Sequence, residues 1–100
     1  MQTTKLKLVT IVADRLWLDA LTEELLTLGA TGYTLSDAHG QGARGLRPLD
    51  WEGSNVRIEI IASPEVAGKI IDHMASQYFD RHGFIAFLQD VEVVRGDKYV

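Results

Sequence analysis

A mixed α+β fold, an antiparallel sheet with two helices on one of its faces, is what this sequence predicts. Three observations carry that expectation. The apolar periodicity changes between two and about 3.6 residues in the order strand, helix, strand, strand, helix, strand. The segments are punctuated at Gly29, at Ser63-Pro64 and at Asp80-Arg81-His82-Gly83, which are helix stop, helix start and loop chemistry respectively. Residues 32–55 join the two halves, with a short strand at one end and no hydrophobic periodicity beyond it. The order β-α-β-loop-β-α-β is that of a ferredoxin-like split unit, and 100 residues suffice for one domain spanning 1–100.

The first strand is expected over residues 5–12, where Lys-Leu-Lys-Leu alternates and then gives way to Val-Thr-Ile-Val, as in a strand entering a buried position. Asp14 is placed to cap the next segment. Over residues 16–28, Leu18, Leu21, Leu25 and Leu28 recur at three- and four-residue spacing and so line one helix face. Gly29 supplies the stop, Thr31-Gly32 a turn, and residues 33–38 a second strand.

Beyond the loop, residues 56–61 alternate Val56, Ile58 and Ile60 with Arg57 and Glu59, a half-buried strand. Ser63, Pro64 and Glu65 fill the cap, the first helical position and the acidic first turn of a second helix. Its buried stripe is Val66, Ile70, Met74 and Tyr78, with Ile71 beside it. Residues 84–94 form the fourth strand, bent around Gln89-Asp90, and the tail from Arg95 is short and polar.

Two helices cannot cover both faces of this sheet. Strand four sends Phe84, Ala86 and Leu88 to one side and Ile85 and Phe87 to the other, while strand one sets Val9 and Ile11 against Leu6 and Leu8. The second apolar face requires another subunit, so the protein is expected to be an oligomer.

Composition excludes several classes. A hydrophobic content of 46% is ordinary for a globular chain. A net charge of −4 with pI near 5.2 gives no general reason to bind nucleic acid or an anionic membrane. Without cysteine there is neither a disulfide framework nor a thiol for redox or metal chemistry. His39, His73 and His82 have no ligand spacing, so no metal site is expected. The opening Met-Gln-Thr-Thr-Lys lacks a signal-peptide core and no apolar run nears membrane-spanning length; a cytoplasmic protein without membrane insertion is expected.

The loop draws the functional reading. A domain of this size rarely carries about fifteen irregular residues without a binding role for them. Gly40, Gly42 and Gly45 let backbone amides converge on an anion. Gly-x-Gly alone more often marks a plain flexible hairpin, but Arg44 among the glycines adds a guanidinium that grips phosphate or bicarbonate with a two-pronged fork. The loop therefore divides into a base at 40–45 that holds an anion and a moving tip at 46–53. Arg47 fits a solvated residue or a partner contact, and Trp51 either a partner anchor or a ring tucked against the domain. No nucleophile–base pair is spaced for acyl transfer, and Asp14, Asp37 and Asp50 fall in caps or turns, so no catalytic residue is assigned.

The run Gly29-Ala-Thr-Gly-Tyr-Thr-Leu-Ser-Asp-Ala-His-Gly-Gln-Gly-Ala-Arg-Gly, followed by Ser54-Asn-Val-Arg-Ile-Glu-Ile-Ile, resembles the PII signalling proteins. In that family the second strand opens with Gly-x-Thr-Gly-x-Thr and leads into a Gly-x-Gly turn at the base of the long T-loop, and the third strand carries a Val-Lys-Ile-Glu-Ile-like run. The basic start at Lys5-Leu-Lys, the run Gly83-Phe-Ile-Ala-Phe and the last strand at Val91-Glu-Val-Val extend the resemblance over nearly all of the chain. The loop is short for a T-loop and has no tyrosine, so the uridylylation site of the nitrogen-regulatory members is absent. The B-loop before strand four keeps only Gly83 of its glycines, with Phe84 where a phosphate-binding lysine is usual. The pattern is closest to the PII-like proteins tied to inorganic-carbon uptake, including the carboxysome-associated PII protein.

That resemblance implies a homotrimer with adenine nucleotides in the clefts between subunits. It places Gly40, Gln41, Gly42 and Arg44 at the ribose and phosphates, and Asn55 where the family has a phosphate-binding lysine. Thr34, Glu59 and Ile61 match positions around the adenine, although Glu59 with Arg57 equally fits a surface ion pair. Gly83 and Phe84 fall in the B-loop, and Arg95 matches an arginine that reaches phosphates across a subunit boundary. Bicarbonate is expected at Gly42, Ala43, Arg44 and Gly45. With the B-loop lysine gone, Arg44 and Arg95 are the main cations, so ADP or AMP is easier to neutralise than ATP with magnesium. The implied function is non-enzymatic carbon-metabolism signalling through the T-loop to a partner such as a bicarbonate transporter. The alternative is a small ferredoxin-like phosphate-ester or acyl-phosphate hydrolase, with Arg44 and Asn55 binding phosphate.

Overall fold

The computed structural model of the chain describes residues 1–39, 55–80 and 83–100. The expectations for Gly40, Gln41, Gly42, Ala43, Arg44, Gly45, Arg47, Trp51 and His82 lie outside the described residues.

Four strands, β1 (Thr4–Asp14), β2 (Thr34–Ala38), β3 (Asn55–Ala62) and β4 (Ile85–Val93), form one sheet in the order β2-β3-β1-β4. Every neighbouring pair is antiparallel. It follows that β1 and β2 run parallel with β3 between them, and β3 and β4 run parallel with β1 between them. Parallel strands need a crossover, and α1 (Leu18–Thr27) and α2 (Pro64–Gln77) supply the two. Crossovers of one hand place both helices on the same face, giving the ferredoxin-like α+β fold that the element order predicts.

The core lies between the sheet and the helices. Val9, Ile11 and Ala13 of β1 and Val56, Ile58, Ile60 and Ala62 of β3 point into it, against Leu21 and Leu25 of α1 and Ala67, Ile70 and Met74 of α2. Burying a Leu or Ile side chain contributes roughly 1.5–3 kcal/mol, so these aligned stripes account for the packing of the helices onto the sheet. Leu18 and Leu28, at the ends of the α1 stripe, are only partly buried.

Local chemistry sets the helix ends. Before α1 the chain makes a 3₁₀ turn, Arg15–Trp17, capped where the Asp14 carboxylate accepts from Leu16 N at 2.9 Å. The helical segment expected from residue 16 thus begins as this tighter turn, with Leu16 left exposed. At the other end Ala30 N donates to Leu25 O and Gly29 N to Leu26 O, both at 3.1 Å, a closure that needs a left-handed residue; Gly29 provides it at φ 116°. Ser63 Oγ accepts from Val66 N at 3.2 Å with Pro64 in the first turn of α2, a cap worth about 1 kcal/mol.

β4 carries no bulge at Gln89-Asp90: its pairing with β1 keeps one register from Thr4↔Val93 to Val12↔Ile85. Lys7 pairs with Asp90 across that register, and Thr3 Oγ1 donates to Glu92 at 2.7 Å, so the two carboxylates of β4 meet partners without interrupting the ladder. The short polar tail is folded. Gly96–Tyr99 folds as a 3₁₀ turn against β1, and Gly96 is buried.

The face opposite the helices carries two kinds of surface. Along β1 and β4 lie Leu6, Leu8, Val12, Ile85, Phe87 and Val91; along β3 and β2 lie Asn55, Arg57, Glu59, Thr34 and Ser36. Ile85 is 50% and Phe87 46% exposed in the single chain.

Candidate functional site

One end of the sheet collects the candidate residues that adjoin the loop. There Asp14 pairs with Asn55, and Asn55 with Ala38 on its other side, so the last residue of β2 and the first of β3 sit beside the end of β1. β4 begins at the same end, because Ile85 pairs with Val12, which brings Gly83 and Phe84 alongside. Asn55 and the described part of the B-loop remnant, Gly83 and Phe84, thus share one margin of the sheet.

Thr34 and Glu59 are directly opposite one another across β2 and β3, and Ile61 follows on the same face. Glu59 and Ile61 are half-buried and Thr34 is exposed. Arg57, exposed, stands next to them opposite Ser36, so the polar strip offers a cation beside the residues matched to the adenine. Thr10, paired with both Glu59 and Phe87, is 4% exposed and marks the boundary between polar and apolar strips.

Phe84 does not join that strip. Its ring packs on the helix side, 4.8 Å from Tyr78 and 6.2 Å from Trp17 between ring centroids. Only its backbone, with Gly83, remains at the sheet margin. Behind it, Tyr78 donates its hydroxyl hydrogen to the Glu24 carboxylate, 2.8 and 2.9 Å from the two oxygens, and His73 Nε2 lies 2.7 Å from Glu24 Oε1. This aromatic and acidic cluster was invisible as a unit in the sequence. Its only forewarning was Tyr78 continuing the α2 stripe four residues after Met74.

Arg95 stands apart. It follows β4 at the opposite end of the sheet, where Val93 pairs with Thr4, and it takes a left-handed backbone at φ 62°. The eight steps from Ile85 to Val93 alone correspond to roughly 26 Å of strand. In one chain Arg95 is therefore remote from Asn55, Gly83 and Phe84. Among the described residues no group of three His, Asp or Glu side chains could hold a metal ion, and no helix is long and apolar enough to cross a membrane.

Comparison with known proteins agrees with this architecture. Residues 6–98 match the family described as nitrogen regulatory protein P-II. A chain assigned to the PII-like signaling proteins from Thermus thermophilus is 50% identical, with 100% of both chains covered and a TM-score of 0.87. CPII from Thiomonas intermedia, solved with ADP, AMP and acetate, is 22% identical over 99% of this chain and 98% of that one, with a TM-score of 0.87. The same protein solved with ADP and bicarbonate gives the same identity, coverage and TM-score. The chain adopts a fold of the PII class, built for signalling. It belongs to the nitrogen regulatory protein P-II family, within its PII-like subgroup.

Proposed function

We propose that this protein is a non-enzymatic PII-like regulator that binds an adenine nucleotide, ADP or AMP ahead of ATP, in the clefts between subunits of a homotrimer. The carrying observation is the separation of Arg95 from Asn55, Gly83 and Phe84 at opposite ends of one sheet. One chain cannot bring them to a single ligand; a second copy laid against the open face can. The exposed Ile85 and Phe87 on that face supply the apolar surface for the contact.

In this reading Thr34, Glu59 and Ile61 surround the base, while Gly40, Gln41, Gly42, Arg44 and Asn55 meet ribose and phosphates with Gly83 and Phe84. Arg95 arrives from the neighbouring copy. The Thiomonas protein, solved with ADP, AMP and bicarbonate, supports the ligand class, and Gly42, Ala43, Arg44 and Gly45 are assigned to bicarbonate. Ligand binding costs ordering entropy in the loop, which the bound anion offsets, and the loop then engages or leaves a partner in inorganic-carbon metabolism such as a bicarbonate transporter.

Calorimetry with AMP, ADP, ATP and cyclic AMP, with and without bicarbonate, tests the reading. Saturable ADP or AMP binding without product is expected. Much tighter ATP binding would refute the nucleotide preference. Turnover of a phosphate ester or acyl phosphate that vanishes in Arg44→Ala would establish the hydrolase instead.

A further inference from the structure

We propose that the Arg15–Trp17 turn is a positioning element that holds both margins of the nucleotide cleft in one geometry, Arg15 gripping the end of β2 and Trp17 the segment that enters β4. The inference rests on the proposed nucleotide site.

The turn leaves β1 at the sheet end where the two margins meet. Asp14 is tied to Asn55 by strand pairing and caps the turn through Leu16 N, so the turn is fixed relative to the start of β3. From it two side chains reach in different directions, as residues two apart in a 3₁₀ turn must. The Arg15 guanidinium donates to Asp37, the next-to-last residue of β2. The Trp17 ring meets Phe84 edge-on at 6.2 Å and Tyr78 edge-on at 5.8 Å.

The second grip has a firm backing. Tyr78 stacks on Phe84 and is itself held by Glu24, the carboxylate that also takes His73. Trp17, Tyr78 and Phe84 therefore form a three-ring wedge between α1, α2 and the start of β4, and Gly83 follows wherever Phe84 is held. A shift of the turn moves Asp37 and Phe84 together.

The test is ADP titration by calorimetry of the full chain and four variants, with far-UV circular dichroism and gel filtration on each. Trp17→Leu is expected to weaken ADP binding about tenfold while the fold and assembly persist, and Trp17→Phe, which keeps a ring at the wedge, to recover most of that. Arg15→Gln and Asp37→Asn are both exposed substitutions that leave the core intact, and each is expected to weaken binding about threefold. Their equal sign is the decisive feature. Were Arg15 only a direct phosphate ligand, Asp37→Asn would free its charge and tighten binding, which overturns the positioning role. Should Trp17→Leu not fold, the Arg15 and Asp37 pair decides alone. Wild-type binding with unaltered affinity in the folded variants overturns this inference and leaves the nucleotide reading standing. Absence of ADP binding in the wild type overturns both.

Discussion

Gly96 lies so close to Thr4 that a Cβ added to the glycine would stand 2.3 Å from the Thr4 Cβ and 2.6 Å from its hydroxyl oxygen. That approach folds the C-terminal 3₁₀ turn back onto the first residue of β1. The obstructing atom is a branch point next to the backbone, so it cannot rotate aside. Gly96→Ala is expected to destabilise the protein by about 1–3 kcal/mol, the usual cost of forcing atoms into a filled contact. Urea unfolding of variant and wild type checks it. A variant as stable as wild type would mean the turn is not held against β1 in solution.

The bond from Tyr78 to Glu24 joins the C-terminus of α2 to α1. Removing the hydroxyl in Tyr78→Phe keeps the ring contacts to Trp17 and Phe84 and leaves Glu24 with His73 and water. Because the Glu24 side chain is 36% exposed, solvent screening brings the loss below the usual range for a hydrogen bond to a charge, to about 1 kcal/mol. A double-mutant cycle with Glu24→Gln in chemical denaturation isolates it, and an additive cycle would refute the coupling.

Asp90 has its pKa held below the usual carboxylate range by its hydrogen bond and charge contact with Lys7, with Lys5 contributing further. Its folded pKa is thus lower than its unfolded one. Such a group adds stability above the unfolded value, 3.8, and loses it as pH falls through the folded value. Wild type should therefore exceed Asp90→Asn in stability at neutral pH, with the difference fading in the acid range. The carboxylate is fully exposed, so added salt should shrink the difference as well. Unfolding midpoints of both proteins at several pH values read this directly.

Phe87 projects from the open sheet face between apolar neighbours, beside Thr10. The proposed subunit contact would bury it. Phe87→Glu is expected to convert the assembly to monomers in light scattering and to abolish ADP binding, since Arg95 of a neighbour is then lost. Monomers that still bind ADP with wild-type affinity would show that one chain completes the site.

How much of this was legible beforehand depends on the range of each interaction. Ser63, Pro64 and Gly29 act within a few residues of themselves, and their roles as cap, first turn and stop were readable one by one. So were the stripes of Leu21, Leu25, Ile70 and Met74, because helical spacing exposes a buried face directly. Thr34 and Glu59 could be singled out by their resemblance to a family, yet their direct pairing is a matter of strand register between segments separated by the loop. Phe84 falls at the binding margin by its resemblance to the family, yet that its ring completes a wedge with Trp17 and Tyr78 depends on residues distant in sequence with no shared period. The polar tail concealed a folded turn, since nothing local in Gly-Asp-Lys-Tyr announces that Thr4 will be its neighbour.

Periodicity and capping are local properties of the chain, and they fix the four strands, the two helices, their order and the apolar residues on both sheet faces. Tertiary structure alone decided the rest: which ends of the strands coincide, that Asn55 and Gly83 share a margin while Arg95 stands about a strand length away, and that one short turn reaches both β2 and β4. Those relations arise from strand register and from packing between distant segments, where the energy belongs to pairs of residues and to neither partner alone.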